Sequence, residues 1–390
     1  MTSYLTFRNP EADWDGGDGP LGGLSVVLQP GLSVRGWPAE AGSAALEGYV
    51  AIEDATVVER LRAAGARLAG TTRMAELGLG LAGDTTASAL AEHGAALVAD
   101  TLGEARHVAA AAGAYGLKPS YGLVSRRGLT GLVPSMEAIG IVAGDLDALA
   151  AVASAIAGPD ERDPSMQHDA PPEFPAGEAA PLAVVGVVDR CLAAPEPAEA
   201  DAFGTALEAL ERTGTRAVRV SIPDFAHFAS VHRVVGSVEA SSAAGKYDGV
   251  RYGHRAEGTE NWNEMYLKSR EESFGLLVKS YLFQGAYFQF RDYGAFENAC
   301  RIRRRLVEQT AAALEGVDAL VLPVGRPGDS PADVATLDEL YAAFALTLPA
   351  NVTGHPALSL AGRGLQLVGP LGSDARLLAF ARALAGAGTS

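Results

Sequence analysis

The sequence predicts an α/β protein, with a mixed β-sheet core covered by helices and a helix-rich cap region. Short apolar segments alternate with amphipathic segments of helical period, an order typical of a sheet with helices on its faces. The composition is 48% hydrophobic and 20% charged over 390 residues, which is that of an ordinary globular chain. A chain of this length buries a stable core without disulfides.

Apolar runs bounded by Gly, Pro or polar residues mark the strands, and apolar residues at helical spacing mark the helices. The predicted strands are residues 24–28, 66–70, 95–99, 182–188, 216–220, 319–323 and 364–368, and the predicted helices are residues 54–65, 101–113, 145–156 and 198–213, with one more at the C-terminus.

The chain is expected to form a single domain over residues 1–390. Residues 1–23 are polar and Gly-rich and are expected to be irregular. Residues 158–181 contain six prolines and many charges, which predicts a surface loop. Residues 225–315 are helix-rich and aromatic and are expected to form a cap or insertion over the sheet.

The net charge of −16 disfavours direct binding to nucleic acid, because an acidic surface repels phosphates. No apolar run approaches the length needed to span a membrane, and no signal peptide is evident. Cys191 and Cys300 show neither metal-ligand nor disulfide spacing, which predicts a reduced, cytoplasmic protein. The histidines also lack metal spacing, so neither a metal nor a cofactor is predicted.

Several segments together resemble the amidase-signature family. The core of the resemblance is residues 116–129 (GLKPSYGLVSRRGL), followed by 135–142 (SMEAIGIV) and 157–164 (AGPDERDP). Residues 247–255 (YDGVRYGHR) and 273–279 (SFGLLVK) resemble one branch in particular, the A subunit of the tRNA-dependent glutamine amidotransferase. The resemblance covers roughly residues 24–385 and implies the fold of that family.

The family hydrolyses amides with a Lys, a Ser in a cis peptide and a nucleophilic Ser, which need a positioned base and an oxyanion site. The resemblance places Gln29 at the Lys position and Glu104 at the position of the nucleophile. The loop that supplies the cis Ser is contracted, and its remaining hydroxyls (Thr85, Thr86 and Ser88) are interpreted as cap or turn residues.

Two residues that contact the substrate amide in that branch also differ. Tyr281 stands where the pattern has an Arg, and Phe344 stands where it has an Asp. Asn351 and Gln366 belong to the core pattern of the family and are interpreted as structural. These differences predict that the Ser–Ser–Lys machinery of the family is lost.

Glu104 has two interpretations. Thr101 and Glu104 have the spacing of a capping box at the start of a helix, and a carboxylate there is also favoured by the helix dipole. On this interpretation the carboxylate fills the oxyanion site from inside. Alternatively, Asp100, Glu104 and His107 form a new acid–base set, with His107 titrating near neutrality beside a carboxylate.

Three functions follow from these observations. The first is a degenerate amidase that acts as a ligand-binding, scaffolding or regulatory protein. The second is a repurposed enzyme of small-molecule biosynthesis that uses Asp100, Glu104 and His107. The third is an intact amide hydrolase with relocated catalytic residues. The expected partner is an unidentified small molecule in the amidase cleft, and a homo-dimer or a hetero-complex stays open.

Overall fold

The computed structural model describes residues 4–11, 17–166, 170–175, 177, 179–192, 197–326 and 330–387. Its strands are β1 (Leu5–Arg8), β2 (Ser25–Leu28), β3 (Arg67–Thr72), β4 (Ala95–Asp100), β5 (Tyr115–Lys118), β6 (Ala138–Ala143), β7 (Val184–Val188), β8 (Arg216–Val220), β9 (Ala319–Pro323), β10 (Ala357–Ser359) and β11 (Leu365–Val368). Its α-helices are α1 (Thr56–Ala63), α2 (Thr86–Ala89), α3 (Glu104–Ala112), α4 (Leu146–Ile156), α5 (Asp189–Leu192), α6 (Pro197–Glu211), α7 (His227–Ala243), α8 (Trp262–Ser273), α9 (Leu276–Phe290), α10 (Tyr293–Leu314), α11 (Leu337–Ala343), α12 (Leu348–Thr353) and α13 (Asp374–Ala387).

The strands of the described residues form one mixed sheet in the order β1-β3-β2-β4-β6-β5-β10-β11-β9-β7-β8. β2 runs parallel to β3 and β4, and β7 runs parallel to β8 and β9. The strands between these two groups pair antiparallel. The mixed α/β architecture predicted from the sequence is therefore confirmed.

Every residue of β4 and of β6 is buried. A strand that is apolar on both faces needs cover on both sides, which is typical of the centre of a layered α/β fold. α3 and α4 pack against these strands, and α1 and α13 pack against α4. The site described below begins where β4 ends and α3 starts, so it rests on the best-covered part of the sheet.

The N-terminal segment differs from its prediction. Residues 1–23 were expected to be irregular, whereas residues 5–8 form β1, which pairs antiparallel with β3. The strand is only four residues long, and its burial alternates weakly, so its sequence pattern is faint. Three further strands, β5, β6 and β10, also fall outside the predicted set. β10 has only three residues, and β5 contains Gly116 and Lys118. Neither strand therefore forms an apolar run long enough to be recognised in the sequence.

The two edges of the sheet are β1 and β8. β8 carries two exposed arginines, Arg216 and Arg219, on an otherwise apolar strand of five residues. Short strands and charged side chains are the usual features of protected sheet edges.

The helices α7 to α10 occupy the region predicted to be helical. α9 packs directly on α7, where Gly285 lies so close that a Cβ atom on it would be 1.8 Å from the carbonyl oxygen of Ser237. No side chain fits there, and glycine at this point sets the distance between the two helices.

The change Gly285→Ala should therefore push α9 away from α7 and lower the free energy of unfolding by about 1–3 kcal/mol, the usual cost of overpacking. Urea unfolding followed by circular dichroism measures it. Gly204→Ala in α6 is the control, since a Cβ atom there meets nothing within 4 Å. That change should be neutral or stabilise the helix by about 0.5–1 kcal/mol. Equal effects of the two changes would contradict the packing argument.

Candidate functional site

The candidate site lies in the turn that joins β4 to α3. Gly103 is the N-cap of α3 and has φ +126°, a conformation that favours glycine. A Cβ atom on Gly103 would also come within 2.3 Å of the Thr347 side chain. The turn therefore needs glycine for its backbone conformation and for its contact with the neighbouring segment.

Glu104 is the first residue of α3, is 1% exposed and folds its side chain back over the turn. Its Oε2 accepts the backbone N–H groups of Thr101 at 2.7 Å, Leu102 at 2.7 Å and Gly103 at 3.0 Å. Its Oε1 accepts the backbone N–H of Gly80 at 3.1 Å. Three N–H donors thus converge on one oxygen at the start of a helix, which makes this turn an anion-binding site occupied by the chain itself.

The capping box predicted for this helix is half correct. Glu104 does reach back to the N–H of Thr101, but the N-cap is Gly103, and α3 begins two residues later than a Thr101 cap would require. The N-cap residue Gly103 has no side chain to make the reciprocal cap bond. The positive φ of Gly103 bends the turn tightly enough for one carboxylate to reach three consecutive N–H groups.

Two side chains from other elements hold the turn in place. His232 on α7 contacts the Thr101 carbonyl through Nε2 at 3.0 Å and the Tyr341 hydroxyl through Nδ1 at 2.9 Å. Burial lowers the pKa of His232 to about 3, so the ring is neutral; Nε2 then donates to the carbonyl and Nδ1 accepts from Tyr341. The Thr347 hydroxyl donates to the Leu102 carbonyl at 2.7 Å. Sequence reasoning missed His232, because a single His inside an apolar helix gives no signal.

Asp100, at the end of β4, is fully buried and bound on all sides. Its Oδ2 accepts the N–H of Ala105 at 3.0 Å, and its Oδ1 accepts from Asn351 at 2.8 Å and faces Arg106 at 3.4 Å. Arg106 is equally buried and donates to the Thr347 carbonyl and to Gln366. Asn351 and Gln366 are structural in this network, in agreement with their interpretation from the sequence.

Burial and the nearby Asp100 carboxylate raise the pKa of Glu104 to about 8, against the opposite influence of the backbone N–H groups. A carboxyl group of this kind titrates in the range in which a general acid or base is most useful.

His107 lies one turn further along α3 and does not behave as predicted. The expected titration near neutrality is wrong, because burial and the adjacent Arg106 lower the pKa of His107 to about 3. Its ring packs against Phe344 at 4.7 Å between centroids, and its Nε2 has no hydrogen-bond partner. No hydrogen bond joins Asp100, Glu104 and His107 in the described residues, so the three are neighbours and do not form a relay.

A cavity of about 600 Å³ borders α3 next to His107, within the usual volume range of small-molecule sites. Its walls are mainly apolar and include Phe203, Phe225, Phe228, Leu346 and Leu365. Arg326 and Arg363 also line it.

Within the described ranges, no group of His, Cys, Asp or Glu side chains is arranged so that it could hold a metal ion. In the same part of the chain, every helix is too short or too polar to cross a membrane.

Comparisons with known proteins bear on the same architecture. The model of the family described as Amidase matches residues 9–93 and 86–378. This chain belongs to the amidase family. It is 34% identical over 428 residues to a protein of Haloarcula marismortui named as the A subunit of glutamyl-tRNA(Gln) amidotransferase, covering 99% of this chain and all of that protein.

Two other proteins with the same name are also similar to this chain. A protein of the same name from Thermus thermophilus is 35% identical over 401 residues, with 93% of this chain and 84% of that protein covered. The crystal structure of the protein of that name from Thermotoga maritima superposes with a TM-score of 0.78 at 23% identity, covering 98% of this chain and 87% of that one. The predicted amidase-signature resemblance, its branch and its fold are therefore confirmed.

These relatives overturn the functional prediction. A degenerate protein that only binds or scaffolds, and the alternative of a repurposed biosynthetic enzyme, both conflict with near full-length relatives named as amidotransferase subunits. The prediction failed because it inferred inactivity from single positions, whereas similarity over almost the whole chain points to an amidase-type function.

Gln29 directly follows β2 and is buried. Its Oε1 accepts the N–H of Ala99 at 2.8 Å, and its Nε2 donates to Asp84 at 2.6 Å. Asp84 in turn accepts the N–H of Thr86 at 2.7 Å. Gln29 thus ties β4 to the loop that contains Asp84. The loop hydroxyls of Thr85 and Thr86 make structural bonds, to the Tyr4 carbonyl and to Thr72.

Tyr281 and Phe344, for which the resemblance predicted a difference from the amidotransferase branch, are both completely buried. The Tyr281 hydroxyl contacts that of Tyr341 at 3.1 Å.

The neutral state of buried His107 gives a pH test. Its folded pKa lies below the unfolded value of about 6.5, so the unfolded state binds more protons as pH falls, and stability is lost below about pH 6.5. His107→Phe should reduce the loss of unfolding free energy between pH 7 and pH 5 by about 2 kcal/mol, because pH 5 lies roughly 1.5 units below the unfolded pKa and each unit corresponds to about 1.4 kcal/mol.

Urea unfolding at the two pH values measures this difference. The same change at exposed His227 in α7 serves as the control and should leave the pH dependence as in the wild type. An unchanged pH dependence in His107→Phe would mean that this ring is already protonated in the folded protein.

Proposed function

We propose that this chain is an amide hydrolase of the amidase type with relocated catalytic residues, in which the turn at the start of α3 binds the amide carbonyl oxygen. The observation that carries the proposal is the convergence of three backbone N–H groups on one point, at 2.7, 2.7 and 3.0 Å from Glu104 Oε2. Acyl transfer requires donors at about 2.7–3.1 Å from the developing oxyanion. The carboxylate oxygen of Glu104 stands where that oxyanion would form.

The turn is preorganised for this role. His232 and Thr347 fix the carbonyl groups of Thr101 and Leu102, so the N–H groups of the turn cannot rotate away when the anion leaves. Such fixed donors stabilise charge without a reorganisation cost at the moment of reaction. They are also buried, and a hydrogen bond to an oxyanion is stronger where water is excluded.

In the proposed reaction, the amide carbonyl oxygen replaces Glu104 Oε2, and the displaced carboxylate acts as the general base. It takes a proton from a water molecule, whose oxygen attacks the carbonyl carbon. The C–N bond then breaks, and the proton passes to the leaving nitrogen, which gives a carboxylic acid and an amine or ammonia. The raised pKa of Glu104, about 8, suits a group that both accepts and returns a proton near neutral pH.

Asp100 and His107 have supporting roles in this proposal. Asp100 raises the proton affinity of Glu104 by its charge and fixes the start of α3 through the N–H of Ala105. His107 borders the apolar cavity, where the organic part of a small carboxamide is proposed to bind. The apolar walls favour a substrate with an aliphatic or aromatic group over a charged one.

The assembly proposed is a hetero-complex in the cytoplasm. The relatives are named as one subunit of an amidotransferase, which supports the presence of partner subunits. Cys300 is a free and exposed cysteine, as suits a reducing compartment.

The proposal predicts that the purified protein releases ammonia from simple carboxamides, and that Glu104→Gln lowers kcat at least 100-fold, the usual contribution of a general base. The wild-type rate should rise with pH toward about 8, where Glu104 loses its proton. Ammonia release from a panel of aliphatic and aromatic amides is the measurement. Glu137→Gln is the matched control, because this buried Glu pairs with Arg126 and contacts none of the residues of the site.

A second variant separates chemistry from folding. Glu104→Ala empties the anion-binding turn, and added formate should restore part of the lost rate by supplying the missing carboxylate. Thermal unfolding of each variant checks that the fold is kept. A wild-type protein that releases no ammonia, or a Glu104→Gln variant as fast as the wild type, would refute the proposal.

A further inference from the structure

Helix α9 has one apolar face that the rest of the described chain leaves uncovered. Leu276, Phe283, Tyr287 and Phe290 are 76%, 74%, 55% and 75% exposed. Their spacings of 7, 4 and 3 residues place them in a single stripe, about 21 Å long at the rise of an α-helix. The opposite face of α9 is packed on α7 through Gly285. The stripe is therefore held rigidly while it points outward.

We infer that this face is the interface of a homo-dimer in which α9 of one chain packs antiparallel on α9 of a second copy. The occupant follows from the symmetry of the stripe about Phe283. Leu276 lies seven residues before it and Phe290 seven residues after it. A twofold axis through Phe283 therefore puts the Leu276 side chain of one copy opposite Phe290 of the other, as a self-complementary interface requires.

The positions between these residues obey the same symmetry. Lys279 and Tyr287 lie four residues on either side of Phe283, so each ammonium group faces a tyrosine ring, a favourable cation–π arrangement. Ser280 and Ala286 lie three residues on either side. Both are small, which lets the two helix backbones approach closely. No pair related by the axis brings together two like charges.

Charge also favours contact at this face. The chain carries a net charge of −16, and its surfaces repel one another in general. Residues 276–290 contain a single charged residue, Lys279. Two copies therefore approach here against less repulsion than at an acidic surface.

The area is sufficient for a stable pair. Large side chains bury about 150–250 Å² each, so the four residues at their exposed fractions supply roughly 500 Å². The half-buried residues beside them bring the total near the 800 Å² per partner of a standard interface, as an order of magnitude.

The oligomeric state of the full chain tests the inference. Light scattering after size exclusion, at about 1–100 μM, the range in which moderate dimers form, should give twice the 40.1 kDa of one chain. Phe283→Lys places two ammonium groups together at the axis and should yield a monomer with unchanged circular dichroism. Leu267→Lys is the matched control, because Leu267 on α8 is 66% exposed but lies outside the stripe, and it should remain dimeric.

Cross-linking then tests the orientation, with the exposed Cys300 replaced by Ser in every variant. Phe283→Cys should form an intermolecular disulfide with a mild oxidant, which takes up the two electrons and two protons of the thiols. A mixture of Leu276→Cys and Phe290→Cys chains should cross-link, whereas each alone should not. A wild-type monomer over the whole concentration range, or a dimer unaffected by Phe283→Lys, would overturn the inference; a monomer would indicate a different partner for this face.

Discussion

The buried guanidinium of Arg106 is the interaction on which the site depends. Two of its nitrogens contact groups from four places in the chain: Asp100 at the end of β4, Thr347 and Asn351 around α12, and Gln366 in β11. A charged group with no exposed surface needs a balancing charge and hydrogen bonds to replace those to water, because desolvation is costly. The first turn of α3 is consequently fixed to the sheet and to α12. These contacts also hold the anion-binding turn, which directly precedes α3, in its observed geometry.

Much of the fold could be predicted from the sequence, and particular elements explain the limits. Strands such as β4 and β9 are short apolar runs that end at a polar residue or a proline, and α4 begins at an Asp that caps it. β1 and β10 have four and three residues, and their pairing is set by distant strands. Nothing local identifies such segments, since the free energy that orders them comes from contacts far along the chain.

At the candidate site, the sequence indicated part of the local geometry but not the protonation states or the distant contacts. The resemblance located Glu104, and the spacing from Thr101 indicated that its carboxylate folds back on the turn. The protonation state of His107 could not be predicted from the sequence, because the ring is kept neutral by its burial and by the charge of the adjacent Arg106. The contribution of His232 depends on the packing of α7 over a turn 131 residues away. Sequence distance hides such contacts, and substitutions at single positions are a weak guide to function when the supporting network is kept.

The two edge strands of the sheet, β1 and β8, affect the tendency of the protein to aggregate. An open sheet offers unpaired backbone groups at its two outer strands, and long flat edges of this kind promote aggregation. Here one edge is only four residues long, and the other places Arg216 and Arg219 outward. A second sheet approaching β8 would have to desolvate those guanidinium groups or stack them against their own copies. Edge-to-edge association of sheets from different molecules into a fibril is therefore disfavoured. The eleven-stranded sheet of the described residues can thus exist within a single, separate molecule.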